Sequence, residues 1–238
     1  RLGGSIVTST KVVSISRRSH LYDLVLRGPS GDGTVEADAV IVAAPGAQSR
    51  DMLHPLDPEL AKMFGAIERA SVVMVTLKTA ETPPASLDGM SGYLVPKPDQ
   101  QRVTAASFGS NKWAHWKPAD GTMIMRVSMG RDGAPTHDLI HEWTDEQLVT
   151  RVVDEVSVHT GFRFTPEVSR VTRWEGAFPQ YRPGHGSRIA DIESRLAASA
   201  PGVLLAGASV RGIGIPACVG QGHTAAETTL ARLVDLRN

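Results

Sequence analysis

Residues 211–225 read RGIGIPACVGQGHTA, and the glycine loop at their start decides what fold the chain can have. Gly212-Ile213-Gly214-Ile215-Pro216-Ala217 carries the G-x-G-x-x-A spacing of a dinucleotide-binding loop. Such a loop opens a βαβ unit of about 30 residues, with an acidic residue about 20 positions on to hold a ribose. Here the sequence stops at Asn238, leaving no room for a second strand, and Pro216 stands where the helix should already be turning over a pyrophosphate. The diphosphate reading therefore fails.

Two readings of the loop remain. It is either punctuation between a strand and a helix, or a backbone that meets electron-rich ligand atoms. In the second case Gly212 and Gly214 allow close approach, and the helix starting at Pro216 offers free N–H groups and its positive end. A flavin ring, whose N1/C2=O edge gains negative charge on reduction, suits that geometry.

Outward from the loop, the chain reads as α/β at both ends around a mostly antiparallel middle. Ser5–Ser9, Lys11–Ser16, Tyr22–Gly28 and Ala37–Pro45 are β-branched or alternating segments parted by turn-formers such as Gly28–Gly33. Val40-Ile41-Val42 is continuously apolar and predicts a strand covered on both faces. Asp57-Pro58-Glu59 predicts a helix start, with Leu60, Met63, Phe64 and Ile67 on its buried face. Strands are expected at Ser71–Thr79, Gly92–Val95, Arg102–Phe108, Thr122–Met129 and Val168–Trp174. Thr144-Asp145-Glu146-Gln147 matches a capping box, and Gly161 closes the helix it starts. Helices are expected over His185–Ala200 and Pro216–Leu233, with "GVLLAG" a buried strand between them. The expected division is 1–70 and 178–238 in one α/β domain, with 71–177 inserted.

Composition narrows the function. Lysine plus arginine equals aspartate plus glutamate at 25 each, so no overall basic field attracts nucleic acid or anionic lipid. One cysteine, Cys218, excludes an internal disulfide framework and fits a reducing compartment. No apolar run approaches the roughly 18 residues that cross a bilayer. The first residue is Arg1 and no signal peptide follows, so the chain is expected to begin partway through a longer protein.

Three local signals have ordinary alternatives. His137 and His141 have the i, i+4 spacing of zinc ligands, yet Asp138 replaces the glutamate of H-E-x-x-H and no third ligand is near. In Gly207-Ala208-Ser209-Val210-Arg211-Gly212 the second glycine falls one residue late for a nucleophile elbow. Cys218 lies just after a helix start without a partner motif, and reads as a small apolar residue.

Four stretches together carry a resemblance. "VLLAGASVRGIGIPACVGQGHTAA", "SIVTSTKVVSI…ADAVIVAAPG", "GYLVPKPDQQRVTAASFGSNKWAHW…GTMIMRVSMGR" and "RWEGAFPQYRPGH" resemble, in the same order, the second half of the protoporphyrinogen/coproporphyrinogen oxidase family. These are FAD-dependent flavoproteins of haem biosynthesis related to the amine oxidases. The resemblance implies a partial FAD-binding domain of the glutathione-reductase-like type with an inserted substrate-domain sheet. It implies that Val12 contacts the adenine end through its backbone, that Trp174 packs near the flavin, and that Gly212, Ile213, Gly214 and Ile215 lie along the isoalloxazine edge. Lys112, Arg126 and Arg182 are the candidate cations for substrate carboxylates.

The implied reaction is a six-electron oxidation of a porphyrinogen to a porphyrin, with O2 reduced to hydrogen peroxide. Coproporphyrinogen III is the expected substrate, because the Ala- and Arg-rich style resembles the actinobacterial, cytoplasmic branch. Protoporphyrinogen IX, or the substrate of a related amine oxidase or desaturase, is the alternative. The family's opening G-x-G-x-x-G unit is absent from the 238 residues. The missing N-terminal half is therefore an expected partner, and any peripheral membrane contact would come through it. Ala208 stands where many related flavoproteins carry an acidic or amide side chain. A fragment without enzymatic activity and a plain α/β binding module are the competing readings; the module predicts no cofactor-sized groove at the Pro216 helix.

Overall fold

A computed structural model describes residues 4–235. Along the chain run β1 (Lys11–Arg18), β2 (Leu21–Gly28), β3 (Gly31–Ala37), β4 (Val40–Val42), α1 (Gly46–Leu53) and α2 (Pro58–Gly65). There follow β5 (Arg69–Thr79), β6 (Gly92–Leu94), β7 (Val103–Phe108), the single turn α3 (Gly109–Lys112), β8 (Ile124–Met129), a π-helical turn Asp138–Glu142 and α4 (Asp145–Thr160). β9 (Pro166–Pro179), α5 (His185–Ser199), β10 (Val203–Leu205) and α6 (Ile215–Asp235) complete it. The chain divides into two compact units, residues 1–68 with 178–238, and residues 69–177. It is a mixed α/β structure with three sheets among the described residues.

In the first unit β1, β2 and β3 form an antiparallel meander, while β4 and β10 pair in parallel with Leu204 opposite Ile41. The core joins Ile15, Tyr22 and Val42 to Leu53, Leu60 and Phe64, and to Ile189, Ile192 and Leu196 of α5. Burying each large apolar side chain contributes about 1.5–3 kcal/mol. Asp57 caps α2 by accepting the N–H groups of Glu59 and Leu60, as its sequence predicts. The same carboxylate pairs with Arg195 of α5, which locks the two helices together.

In the second unit β6-β7-β8-β5-β9 form a five-stranded sheet. Alternation, shifted once by an irregularity between Val103 and Ala105 on β7, gives it one apolar face: Val73, Val75, Leu77, Val103, Phe108, Met125 and Val127 are buried, together with Leu148, Val152 and Val156 of α4. The capping box at Thr144 forms in full, and Gly161 ends α4 in the left-handed region at φ 70°. The opposite face carries Met74, Thr76, Ser107, Arg126 and Ser128 and remains open to ligands.

Several expectations are corrected. Ser5–Ser9 forms no strand: Ser9 sits at φ 54°, and Ile6 and Val7 are exposed, with no strand pairing them among the described residues. Gly31–Ala37, which reads as turn-formers and polar residues, is β3, held by its register on β2. The helix α1 has no clear apolar stripe in its sequence, yet Met52 and Leu53 bury its end. β4 is not covered on both faces, since Ile41 is 38% exposed.

Candidate functional site

Each unit carries one candidate surface. In the second unit, a groove of about 400 Å3 lies on the open sheet face, lined by residues of β5, β6, β7 and β8. The strand register builds its floor: Gly92 stands opposite Ser107, Ser107 opposite Arg126, and Arg126 opposite Thr76. Residues opposite one another share a face, so Arg126 projects from the middle of this row. Gly92, at φ 137°, allows β6 to lie close on β7, because a Cβ there would meet the Ala106 carbonyl oxygen at 2.1 Å.

Lys112 enters the groove from the end of α3, and its Nζ donates to Ser107 Oγ at 2.9 Å. The turn is fixed from two sides. A Cβ on Gly109 would lie 2.3 Å from Trp116 Cε3, so only glycine lets that ring pack there. Ser110 Oγ accepts the Ile124 N–H at 2.6 Å, tying α3 to β8. No acidic side chain lines the groove, and Arg126 forms no ion pair among the described residues. The groove therefore presents two cations and no carboxylate beside Met74, Leu94 and Ala105.

In the first unit the loop between β10 and α6 carries Gly212, Ile213 and Gly214, and Ile215 opens α6. Gly212 lies at φ 129°, and a Cβ on it would approach the Ala217 Cβ at 2.7 Å, so the turn needs glycine. Cys218 N–H bonds to the Gly214 carbonyl, leaving the first-turn N–H groups of Ile215 and Ala217 without an intrahelical acceptor. Ile213 and Ile215 are exposed beside them, Ile215 at 81%. Apolar flanks, a side-chain-free approach and outward N–H groups fit the carbonyl edge of a flavin ring.

The remaining candidates lie as follows. Val12 is half-buried on β1 opposite Leu26, next to a bulge before Ser14. Trp174 is on β9 in the second unit and 47% exposed. Arg182 belongs to the first unit, and its guanidinium grips the Glu68 carboxylate at 2.6 Å. Lys112 and Arg126 both line the groove of the second unit. The sequence reading passed over Ser107, whose signal was its alternation with Phe108 along β7.

The motifs with ordinary alternatives find ordinary partners. The rings of His137 and His141 lie 4.8 Å apart, but each meets a different carboxylate, Glu142 and Glu175. Ser209 is buried and its Oγ accepts the Gly46 N–H at 3.1 Å, so it is part of the packing around α1. Cys218 is half-buried, with Sγ 3.5 Å from the Gly212 carbonyl oxygen.

The chain belongs to the flavin containing amine oxidoreductase family, whose model matches residues 1–230. The cofactor that follows is FAD. More particularly, it is similar to coproporphyrinogen III oxidase of Bacillus subtilis, 30% identical over 228 residues covering 96% of this chain and 47% of that protein. Its similarity to coproporphyrinogen III oxidase of Mycobacterium tuberculosis H37Rv is 31% over 209 residues, covering 88% of this chain and 44% of the other. A crystal structure from Exiguobacterium sp. 255-15, of a protein assigned as a protoporphyrinogen oxidase, superposes with a TM-score of 0.77 at 26% identity, covering 96% of this chain and 47% of that one. The chain spans less than half the length of these relatives. No helix among the described residues is long and apolar enough to cross a membrane.

Proposed function

We propose that this chain is part of a porphyrinogen oxidase that converts coproporphyrinogen III to coproporphyrin III, removing six electrons and reducing O2 to H2O2. The observation that carries this reading is the groove with Lys112 and Arg126, cationic and free of acids, on a face whose other lining residues are uncharged. A tetrapyrrole with propionate arms asks for that combination. Bound FAD would supply the two-electron chemistry, repeated three times.

The residues of the chain have binding and positioning work to do. Lys112 and Arg126 would hold propionates, with Ser107 fixing the ammonium. Gly212 to Ile215 would set backbone N–H groups and apolar side chains along the flavin edge. Val12 would touch the adenine end and Trp174 would pack near the ring. Arg182, paired with Glu68, would hold its own loop rather than substrate. The antiparallel meander beside the parallel pair β4–β10 supports a FAD-binding domain of the glutathione-reductase-like type built from 1–70 and 178–238, with 71–177 binding substrate.

We assign the remainder of that domain to a segment corresponding to the unmatched half of the relatives. The exposed Val219, Leu230 and Val234 of α6, and Ile41 of β4, are apolar surface awaiting a cover. The names of the relatives favour coproporphyrinogen III; the Exiguobacterium structure supports protoporphyrinogen IX as the second reading. Incubating the full-length protein aerobically with each porphyrinogen, while following porphyrin fluorescence and peroxide, separates them. No porphyrin from either would end the assignment.

A further inference from the structure

Tyr181 and His185 stack at 3.8 Å between ring centroids, with their planes 10° apart, and the side-chain hydrogen bonds of both rings go to the strand-to-helix loop. The Tyr181 hydroxyl donates to the Ala208 carbonyl at 2.6 Å and accepts the Gly212 N–H at 2.7 Å. His185 Nε2 lies 2.8 Å from the Val210 carbonyl oxygen. A carbonyl can only accept, so the proton of a neutral His185 is on Nε2 and its buried Nδ1 is bare. Residues 208, 210 and 212 are thereby tied, one after another, to a single pair of stacked rings.

The stack is itself anchored. Gln180 N–H donates to the Glu68 carbonyl at 2.8 Å, and the Arg182 guanidinium holds the Glu68 carboxylate. Gly184, at φ 83°, turns the chain so that His185 can begin α5 directly beneath Tyr181. On the far side, Arg211 N–H donates to Gln221 Oε1, joining the loop to α6. The loop needs such fixing because its glycines bring flexibility at the place where the backbone faces a ligand.

We propose that Tyr181 and His185 are positioning residues for the flavin: they set the Ala208–Gly212 segment, and through it the orientation of the Ile213–Ile215 N–H groups toward the ring. This rests on the flavin reading of that loop given above. Neither residue touches the reacting atoms. A loop held firmly keeps its N–H groups aimed at the edge that gains negative charge, which raises FAD affinity and the ease of reducing the ring.

The test uses the full-length protein and compares Tyr181→Phe with Tyr93→Phe, whose hydroxyl bonds His159 in the other unit. Tyr181→Phe keeps the stack and removes only the hydroxyl. Expected are an FAD Kd raised about five- to tenfold, a lowered flavin reduction potential and an altered visible flavin spectrum, with the melting temperature of the apoprotein close to that of the parent. Tyr93→Phe should leave all three flavin readouts unchanged. His185→Gln, which keeps an N–H for Val210, should retain more FAD affinity than His185→Phe, which keeps only the stacking. If the parent binds FAD and Tyr181→Phe matches it in Kd, potential and spectrum, the positioning role is overturned while the flavin reading stands. If the parent binds no FAD, both fall.

Discussion

The hydroxyl of Tyr22 accepts the backbone N–H of Gly202 at 2.9 Å, across 180 residues of chain. Tyr22 is almost fully buried on β2, and Gly202 directly precedes β10. A Cβ on Gly202 would lie 2.6 Å from Tyr22 Cε2 and 3.2 Å from the Asp38 carbonyl oxygen. Gly202→Ala must therefore push the meander away from the parallel pair, at a cost of about 1–3 kcal/mol. Tyr22→Phe, which leaves the buried N–H unpaired, should cost a similar amount, about 1–3 kcal/mol. Thermal unfolding of the parent and the two variants checks this, and a Gly202→Ala variant as stable as the parent would contradict the packing.

The acid limb of stability depends on Asp57. Arg195 beside it, together with the capping N–H groups of Leu60 and Glu59, holds this carboxyl below the usual carboxylate range despite the opposing effect of burial. A depressed folded-state value means that the stabilisation is complete above the unfolded value of about 3.9 and disappears as the pH falls through the folded one. Asp57→Ala should thus lose about 1–2 kcal/mol at neutral pH, the loss of a buried cap and ion pair. Its deficit relative to the parent should shrink steadily below about pH 4. Urea unfolding of both proteins from pH 7 to pH 3 measures the gap; a gap independent of pH would show that the carboxylate charge does not contribute.

Elements with local chemical signals were legible in the sequence, and those that depend on distant partners were not. Asp57-Pro58 and the Thr144 capping box announce helices because the bonds involved lie within four residues. The strands of the second unit alternate cleanly because one face meets α4. By contrast, Ser5–Ser9 has strand-forming side chains but pairs with no strand among the described residues, while the polar β3 is held by its register on β2. At the candidate site, residue type suggested Lys112 and Arg126, but only the register puts both beside Ser107. The ion pair between Arg182 and Glu68 was not legible in the sequence, because the two residues lie 114 positions apart.

Gly109 links packing to the groove. Trp116 occupies the space where any side chain at 109 would sit, and Lys112 is carried on the turn that Gly109 begins. Gly109→Ala should displace the indole and swing Lys112 away from Ser107, while the sheet core below stays intact. The expected result is a stability loss of about 1–3 kcal/mol, together with a higher KM for the porphyrinogen. Trp116 fluorescence should shift as its surroundings become wetter. Unchanged fluorescence and unchanged KM would mean that α3 tolerates the methyl without moving.

Arg126 gives the most direct test of substrate charge. It lies in mid-sheet with neutral neighbours, so Arg126→Gln removes a cation without unpairing any acid, and folding should be unaffected. A charge-assisted bond to a carboxylate contributes about 1.5–3 kcal/mol, so kcat/KM for coproporphyrinogen III should fall roughly 10- to 100-fold. Lys112→Gln should fall less, because its Nζ is already shared with Ser107 Oγ. The two losses should not add fully if both cations hold one propionate, and should add if each holds its own. Added salt should raise KM in the parent and have less effect on the double variant, since screening acts only on the charges present. Steady-state kinetics of the two single variants and the double variant at two ionic strengths measure each of these. If the double variant keeps the KM of the parent, the groove on the open sheet face does not bind the substrate's carboxylates.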